Sequence, residues 1–173
     1  KHSSIKTKVD LFSLKLFAKL VATTANCHLE WESFIKITGT HFGHPTISRF
    51  VTDNAPYFDS NAMREVNNRH GVVHVPLPSY TQELNPAERQ LAIVHQVCRA
   101  NMLQSNAPTA ASGECLMAAC FTINRSPYHY GASITREEKW QQRLLPGLTN
   151  HLRAWGCSAY AHVDHGARAP ASI

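Results

Sequence analysis

Short apolar runs closed by turn residues alternate along this chain with stretches whose apolar side chains recur at helical spacing. That alternation confines the chain to a mixed α/β architecture. From Leu14 to Ala22, Lys15 and Lys19 fall on one side and Leu16, Ala18 and Leu20 on the other, the pattern of a half-buried strand, and Lys8 to Phe12 reads as the strand before it. Trp31, Phe34, Ile35, Thr38 and Phe42 then follow the i, i+3, i+4, i+7, i+11 pattern of a helix, which Gly43 and Pro45 should stop. Ile47 to Thr52 is a short buried strand ending at Asp53. A second helix runs from Ser60 to His70 and is closed by Gly71. Val72 to Val75 is the next strand, ended by Pro76 and Pro78. A loop of turn formers leads to a long helix from Pro86 to Gln104, and Pro108-Thr109 opens another that ends near Asn124. The order strand, strand, helix, strand, helix, strand, helix, helix predicts one α/β domain with a mixed sheet and no internal repeat.

Length and composition limit the partners. The 173 residues suffice for one domain with a core and room for part of a second, and an apolar fraction of 43% without low-complexity tracts argues against disorder. Apolar runs fall far short of the ~20 residues that span a bilayer, and no apolar segment follows the basic start. A soluble intracellular protein with no membrane partner is expected. Seventeen basic residues against 12 acidic give +5, a balance that fits a polyanion without identifying one. Five cysteines, with no Cys-x-x-Cys pair, suggest reduced thiols rather than a disulfide framework or a zinc site. His70 and His74 lie four apart, but Gly71 breaks the helix that would place them on one face.

Two carboxylates stand out by position. Asp53 ends an apolar strand, where open α/β sheets bind ligands, although an Asp-Asn pair there also makes an Asx-turn. In Asn85-Pro86-Ala87-Glu88, Asn85 suits an N-cap and Pro86 the first helical position. A Glu88 reaching back to the cap is a complete structural explanation of that residue. If Glu88 instead faces Asp53 across the top of the sheet, the pair could hold a hard divalent cation through oxygen.

Five segments, in order, resemble the copia-type integrase of LTR retrotransposons, a branch of the retroviral integrase superfamily. Thr52-Asp53-Asn54-Ala55-Pro56-Tyr57-Phe58 is similar to the family's S-D-N-G-G-E-F, and Tyr80-Thr81-Gln82-Glu83-Leu84-Asn85-Pro86-Ala87-Glu88-Arg89 to Y-T-P-Q-Q-N-G-V-A-E-R. Asn124-Arg125-Ser126-Pro127 matches N-R-S-P. Thr135 to Trp140 resembles T-P-Y-E-L-W, and His151 to Tyr160 resembles H-L-R-V-F-G-C-x-A-Y. Thirty-four residues separate Asp53 from Glu88, close to the superfamily's spacing, with the one-residue gap in the Tyr80–Glu88 loop. The resemblance implies a ribonuclease-H-like catalytic core over residues 1–145, followed at 146–173 by a linker and the beginning of a small β-barrel domain. It makes Asp53 and Glu88 the second and third catalytic carboxylates, ligands of Mg²⁺ or Mn²⁺. It also implies DNA partners (retrotransposon ends and target DNA), a homo-oligomer in the full-length protein and a nuclear location.

The chain also departs from the family. Val9-Asp10-Leu11-Phe12-Ser13-Leu14 aligns best with the family's second-strand motif I-D-D-F/Y-S-R, so Asp10 is not expected to be catalytic. The first strand and its aspartate would then precede Lys1. The other alignment makes Asp10 the first carboxylate but leaves too few residues for two more strands before Trp31. Ala55 and Pro86-Ala87 replace glycine-containing turns, and Gln90, Leu91 and Ala92 stand where polar and basic residues are usual. His95 and Arg99 are then the nearest polar groups on the Glu88 face. Two classes follow: a metal-dependent polynucleotidyl transferase whose present segment is inactive, or a domesticated or decayed domain that binds nucleic acid or a partner without catalysis.

Overall fold

A computed structural model describes residues 4–21, 26–42, 47–53, 55–78, 85–127 and 129–158. Strand β1, Ser4–Val9, pairs antiparallel with β2, Leu16–Val21, in the register Lys6↔Lys19, Lys8↔Phe17. Helix α1 (Cys27–Phe42) follows, then β3 (Arg49–Thr52), α2 (Asn61–His70), and β4 (Val73–Pro76), which lies parallel to β3. Helices α3 (Pro86–Ser105), α4 (Ser112–Asn124) and α5 (Arg136–Gln141) complete the order. The first eight element types match the sequence pattern, α5 is an element the pattern did not predict, and the sheet differs. Instead of one mixed sheet, the described residues form two separate two-stranded ones, β1-β2 and β3-β4.

The first strand also lies earlier than Lys8 to Phe12, because Asp10 starts a turn. Its Oδ2 accepts from the Ser13 amide at 2.7 Å and the buried Ser13 hydroxyl at 2.6 Å, and its backbone N–H donates to the Lys15 carbonyl. Leu14 completes the turn in the left-handed region at φ 60°, and Leu11 and Phe12 are exposed. The α2 boundaries, by contrast, follow their signals. The Ser60 hydroxyl caps the start, and Gly71, at φ 66°, ends the helix in a conformation that side chains resist. Gly43 and Pro45 lie outside the described residues, as does most of the expected barrel segment.

Two apolar clusters hold the layers. On one side Trp31 and Ile35 of α1 meet Met63 and Val66 of α2. Trp31 stacks on Phe50 of β3 with ring centroids 4.0 Å apart, and its indole N–H donates to Asn67 Oδ1 at 2.7 Å. Truncating such a buried tryptophan typically costs about 3–5 kcal/mol. At the solvent edge of this layer Glu32 accepts from Lys36, His70 and Arg69, and these partners, Lys36 first, pull its carboxyl down to about 2. On the other side Leu16 of β2 packs with Val94 and Cys98 of α3 and with Cys115, Ala119, Cys120 and Ile123 of α4. All five cysteines are free, and burial pushes the Cys115 and Cys120 thiols up to about 12 and about 11.

Asn124, first of the N-R-S-P residues, acts as a strand partner. Its Oδ1 accepts from the Leu16 amide at 2.8 Å and its Nδ2 donates to the Leu16 carbonyl at 2.7 Å, satisfying the buried start of β2 from the end of α4. Nearby, Lys15 pairs with Glu137 at 2.7 Å, and the buried Arg136 donates to Gln90 at 2.7 Å, docking α5 on the hairpin and on α3. Asn124→Ala leaves both Leu16 groups without their partner, and equilibrium urea unfolding should show a loss of about 2–4 kcal/mol. A loss below about 0.5 kcal/mol would mean that water replaces the amide without penalty.

Candidate functional site

Asp53 is held in place from both sides. Before it, the buried Thr52 hydroxyl bonds His74 Nε2 at 2.7 Å, and the Leu77 amide donates to the Thr52 carbonyl, extending the β3–β4 pairing past the strand end. After it, a 3₁₀ turn over Pro56–Asp59 places Phe58 edge-on to Phe50 at 5.5 Å, anchoring the turn in the Trp31 cluster. The carboxylate is exposed at the carboxyl end of a parallel strand, as the sequence predicts. No hydrogen bond to another described residue supports the Asx-turn alternative.

Glu88 sits in the first turn of α3. Asn85 caps that helix, its Oδ1 accepting from the Ala87 amide at 3.0 Å, but Glu88 does not return the bond to the cap. The expected structural role of Glu88 is therefore only half realised, and the carboxylate stays exposed and without a partner among the described residues. A complete capping box does form at α5, where Thr135 and Glu138 bond each other's backbone. Most described acids are held by a side-chain partner: Asp10 in its turn, Glu30 by Lys19, Glu32 by Lys36, Arg69 and His70, Asp59 by Arg64, Glu137 by Lys15, Glu138 in its capping box.

Asp53 opens onto a cavity of about 330 Å³. Leu91, one turn after Glu88 and about 4.5 Å along the helix axis, lines the same cavity, so the start of α3 flanks the end of β3 there. Tyr57 lines it too. Burial, and next the negative charge of Asp53, hold its phenol above the ordinary range. Lys6 and Lys8 of β1 form a cationic wall, and burial lowers the Lys8 ammonium. These neighbours went unnoticed in the sequence because none belongs to a matched carboxylate motif except Tyr57. Leu91, which departs from the family's polar usage, is the cavity's apolar side, and Gln90 is buried in its bond to Arg136.

The donor chemistry of Asp53 and Glu88, two exposed carboxylates without other partners, suits a hard divalent cation. Among the described residues no three His, Cys, Asp or Glu side chains form a group that could hold a metal. His70 turns to Glu32 and His74 to Thr52, so the two histidines do not make a site.

No family model matches the chain. In sequence it is 27% identical over 158 residues to the retrovirus-related Pol polyprotein from transposon TNT 1-94 of Nicotiana tabacum, covering 91% of this chain but only 12% of that protein. In fold it is similar to a chain of the simian T-cell lymphotropic virus intasome in complex with PP2A regulatory subunit B56 gamma. That match has a TM-score of 0.63 and 22% identity, and covers 82% of this chain and 49% of that one. The magnesium-bound integrase catalytic core domain of HTLV-2, in its trimeric form, matches at 0.55 and 19%, covering 78% and 90% of the two chains. The BIV integrase catalytic core matches at 0.56 and 18%, covering 80% and 85%. The chain thus has the fold of retroviral-type integrase catalytic cores, and its sequence is similar to a retrotransposon polyprotein, as the motifs imply.

Replacing Asp53 with asparagine removes a charge that disfavours the Tyr57 phenolate. The Tyr57 pKa should therefore fall toward the ordinary phenol value, read from its ring resonances in an NMR titration. An unchanged or raised Tyr57 pKa would show that the two side chains do not face each other.

Proposed function

We propose that this chain is the catalytic core of a retrotransposon integrase, which joins element DNA ends to target DNA in the nucleus with Mg²⁺ or Mn²⁺. The observation that carries the reading is a pair of unpartnered carboxylates, Asp53 lining the cavity at the end of β3 and Glu88 in the first turn of α3, whose Leu91 lines the same cavity. The magnesium in the HTLV-2 core supports the choice of cation, and the dimeric and trimeric forms of that core support a homo-oligomer.

When bound, such cations would supply activation of the attacking oxygen and stabilisation of the leaving one. Asp53 and Glu88 would each hold one cation and keep it at the strand end. His95 and Arg99, both exposed farther along α3, would meet DNA phosphates. Asp10 cannot join them while its carboxylate holds the hairpin turn. Asp53 and Glu88 are then the two carboxylates this chain offers where the resemblance assigns three, and alone it should be inactive.

The test is a strand-transfer assay with Mn²⁺ on this chain, its Asp10→Asn variant and the protein extended upstream. The extended protein should act, and Asp53→Asn or Glu88→Gln in it should lower the rate by roughly a hundredfold or more, each tenfold being about 1.4 kcal/mol. Activity of the unextended chain that Asp10→Asn abolishes would instead make Asp10 the first carboxylate. An extended protein that binds DNA but never joins it would favour the non-catalytic descendant. DNA binding itself should be insensitive to sequence, with log affinity falling against log salt at about −0.9 per phosphate contacted. Affinity constant from low to physiological salt would contradict phosphate-led binding.

A further inference from the structure

The first turn of α3 is held by a polar contact at a position where the rest of the helix uses packing. Gln90, Val94 and Cys98, each four residues from the next, form the buried row of α3. Val94 and Cys98 sit among apolar side chains, whereas Gln90 ends the row against Arg136 of α5, with Nη1 donating to its Oε1 at 2.7 Å. Both side chains are buried, so the bond forms away from competing water. The same Nη1 donates to the Leu14 carbonyl at 3.3 Å, and Arg136 Nε has no partner among the described residues. A buried guanidinium bonded to neutral oxygens is costly, so stability alone does not account for it.

Glu88 lies two residues before Gln90, and at about 100° per residue the two side chains leave α3 on nearly opposite sides. Turning Gln90 inward therefore turns Glu88 outward. Glu88 is exposed and has no side-chain partner among the described residues, and Asn85 bonds only the backbone of that turn. The roll of the helix is thus what aims the carboxylate. Apolar contacts at Val94 resist separation but not a small rotation, whereas a hydrogen bond from a planar guanidinium is directional. Arg136 also stands where the copia-type pattern T-P-Y-E-L-W has proline, whose side chain donates no hydrogen bond, so the clamp belongs to this chain.

We propose that Arg136 is a positioning residue for Glu88, acting through Gln90 by setting the roll of α3 at the turn that carries the carboxylate. Its value to the site rests on the reading of Glu88 as a cation ligand, whereas the roll itself does not. Arg136 touches neither cation nor DNA in this role.

The test compares the unsubstituted chain with Arg136→Met, Gln90→Leu, the double variant and Lys15→Met. The last breaks the ion pair between α5 and the hairpin but leaves Arg136 and Gln90 in place. Cα–Hα residual dipolar couplings over 87–91 should change in the first three variants, while those over 98–105 hold. Lys15→Met should leave both sets unchanged. Unchanged couplings over 87–91 in folded Arg136→Met or Gln90→Leu protein would overturn the clamp, as would the same change in Lys15→Met. Mn²⁺ titrated into the unsubstituted chain, without DNA, should broaden the Glu88 resonances. Each single variant should weaken that binding roughly tenfold, as loss of an outer support to a metal ligand does. The double variant should be no weaker than a single one, because both remove the same bond. Folded variants that bind Mn²⁺ as tightly as the unsubstituted chain, or a double variant weakened by the product of the two, would overturn the positioning role. Mn²⁺ that never reaches Glu88 in the unsubstituted chain would sink the cation reading of Glu88, while shifted couplings would still uphold the clamp. If Arg136→Met does not fold, the couplings of Gln90→Leu decide the question.

Discussion

Among the described residues no ladder of backbone hydrogen bonds joins β1-β2 to β3-β4, so the placement of one strand pair relative to the other rests there on side-chain packing against the helices. The β3 pair is fixed through Trp31, wedged between Phe50 and Asn67. The β1 hairpin is fixed on its two faces. Phe17 meets Phe34 of α1 at 4.9 Å between centroids, while Leu16 enters the α3–α4 cluster under the Asn124 clamp. Helix α1 therefore touches both pairs, and it is the element that relates them. Packing is less directional than a hydrogen-bond ladder, so the separation between the pairs should be the softest coordinate of the fold.

What could be read in the residues was whatever local chemistry decides alone. Ser60 and Gly71 bound α2 because a hydroxyl cap and a left-handed glycine need no tertiary help. The Asn85-Pro86 start of α3 is of the same kind. The first strand was misplaced for the opposite reason. Its cavity-side residues include Lys6 and Lys8, which do not read as an apolar strand face, while the apolar Leu11 and Phe12 that suggested a strand stand exposed in the Asp10 turn. Likewise the split of the sheet is a matter of which edges meet, and no periodicity encodes that.

The candidate site shows the same division. The positions of Asp53 and Glu88 followed from element ends, and the motifs gave them roles. Their freedom from local partners did not follow, since Asn85 could equally have drawn Glu88 into a full capping box as Thr135 draws Glu138. Motif matching also blurs purposes. Asn124 lies in a matched motif and holds up β2, whereas Leu91 breaks the family's usage and shapes the cavity.

The distribution of thiols gives the chain a practical property. Cys27, Cys98, Cys115 and Cys120 are buried, while Cys157 is exposed. A maleimide dye added to the folded chain should thus attach at one place without any engineered cysteine. That place follows Gly156, where an added Cβ would come within 2.3 Å of the Ser105 Cβ at the end of α3. The dye would therefore sit where the segment after α5 comes back against the long helix, and its anisotropy would report whether that segment stays docked.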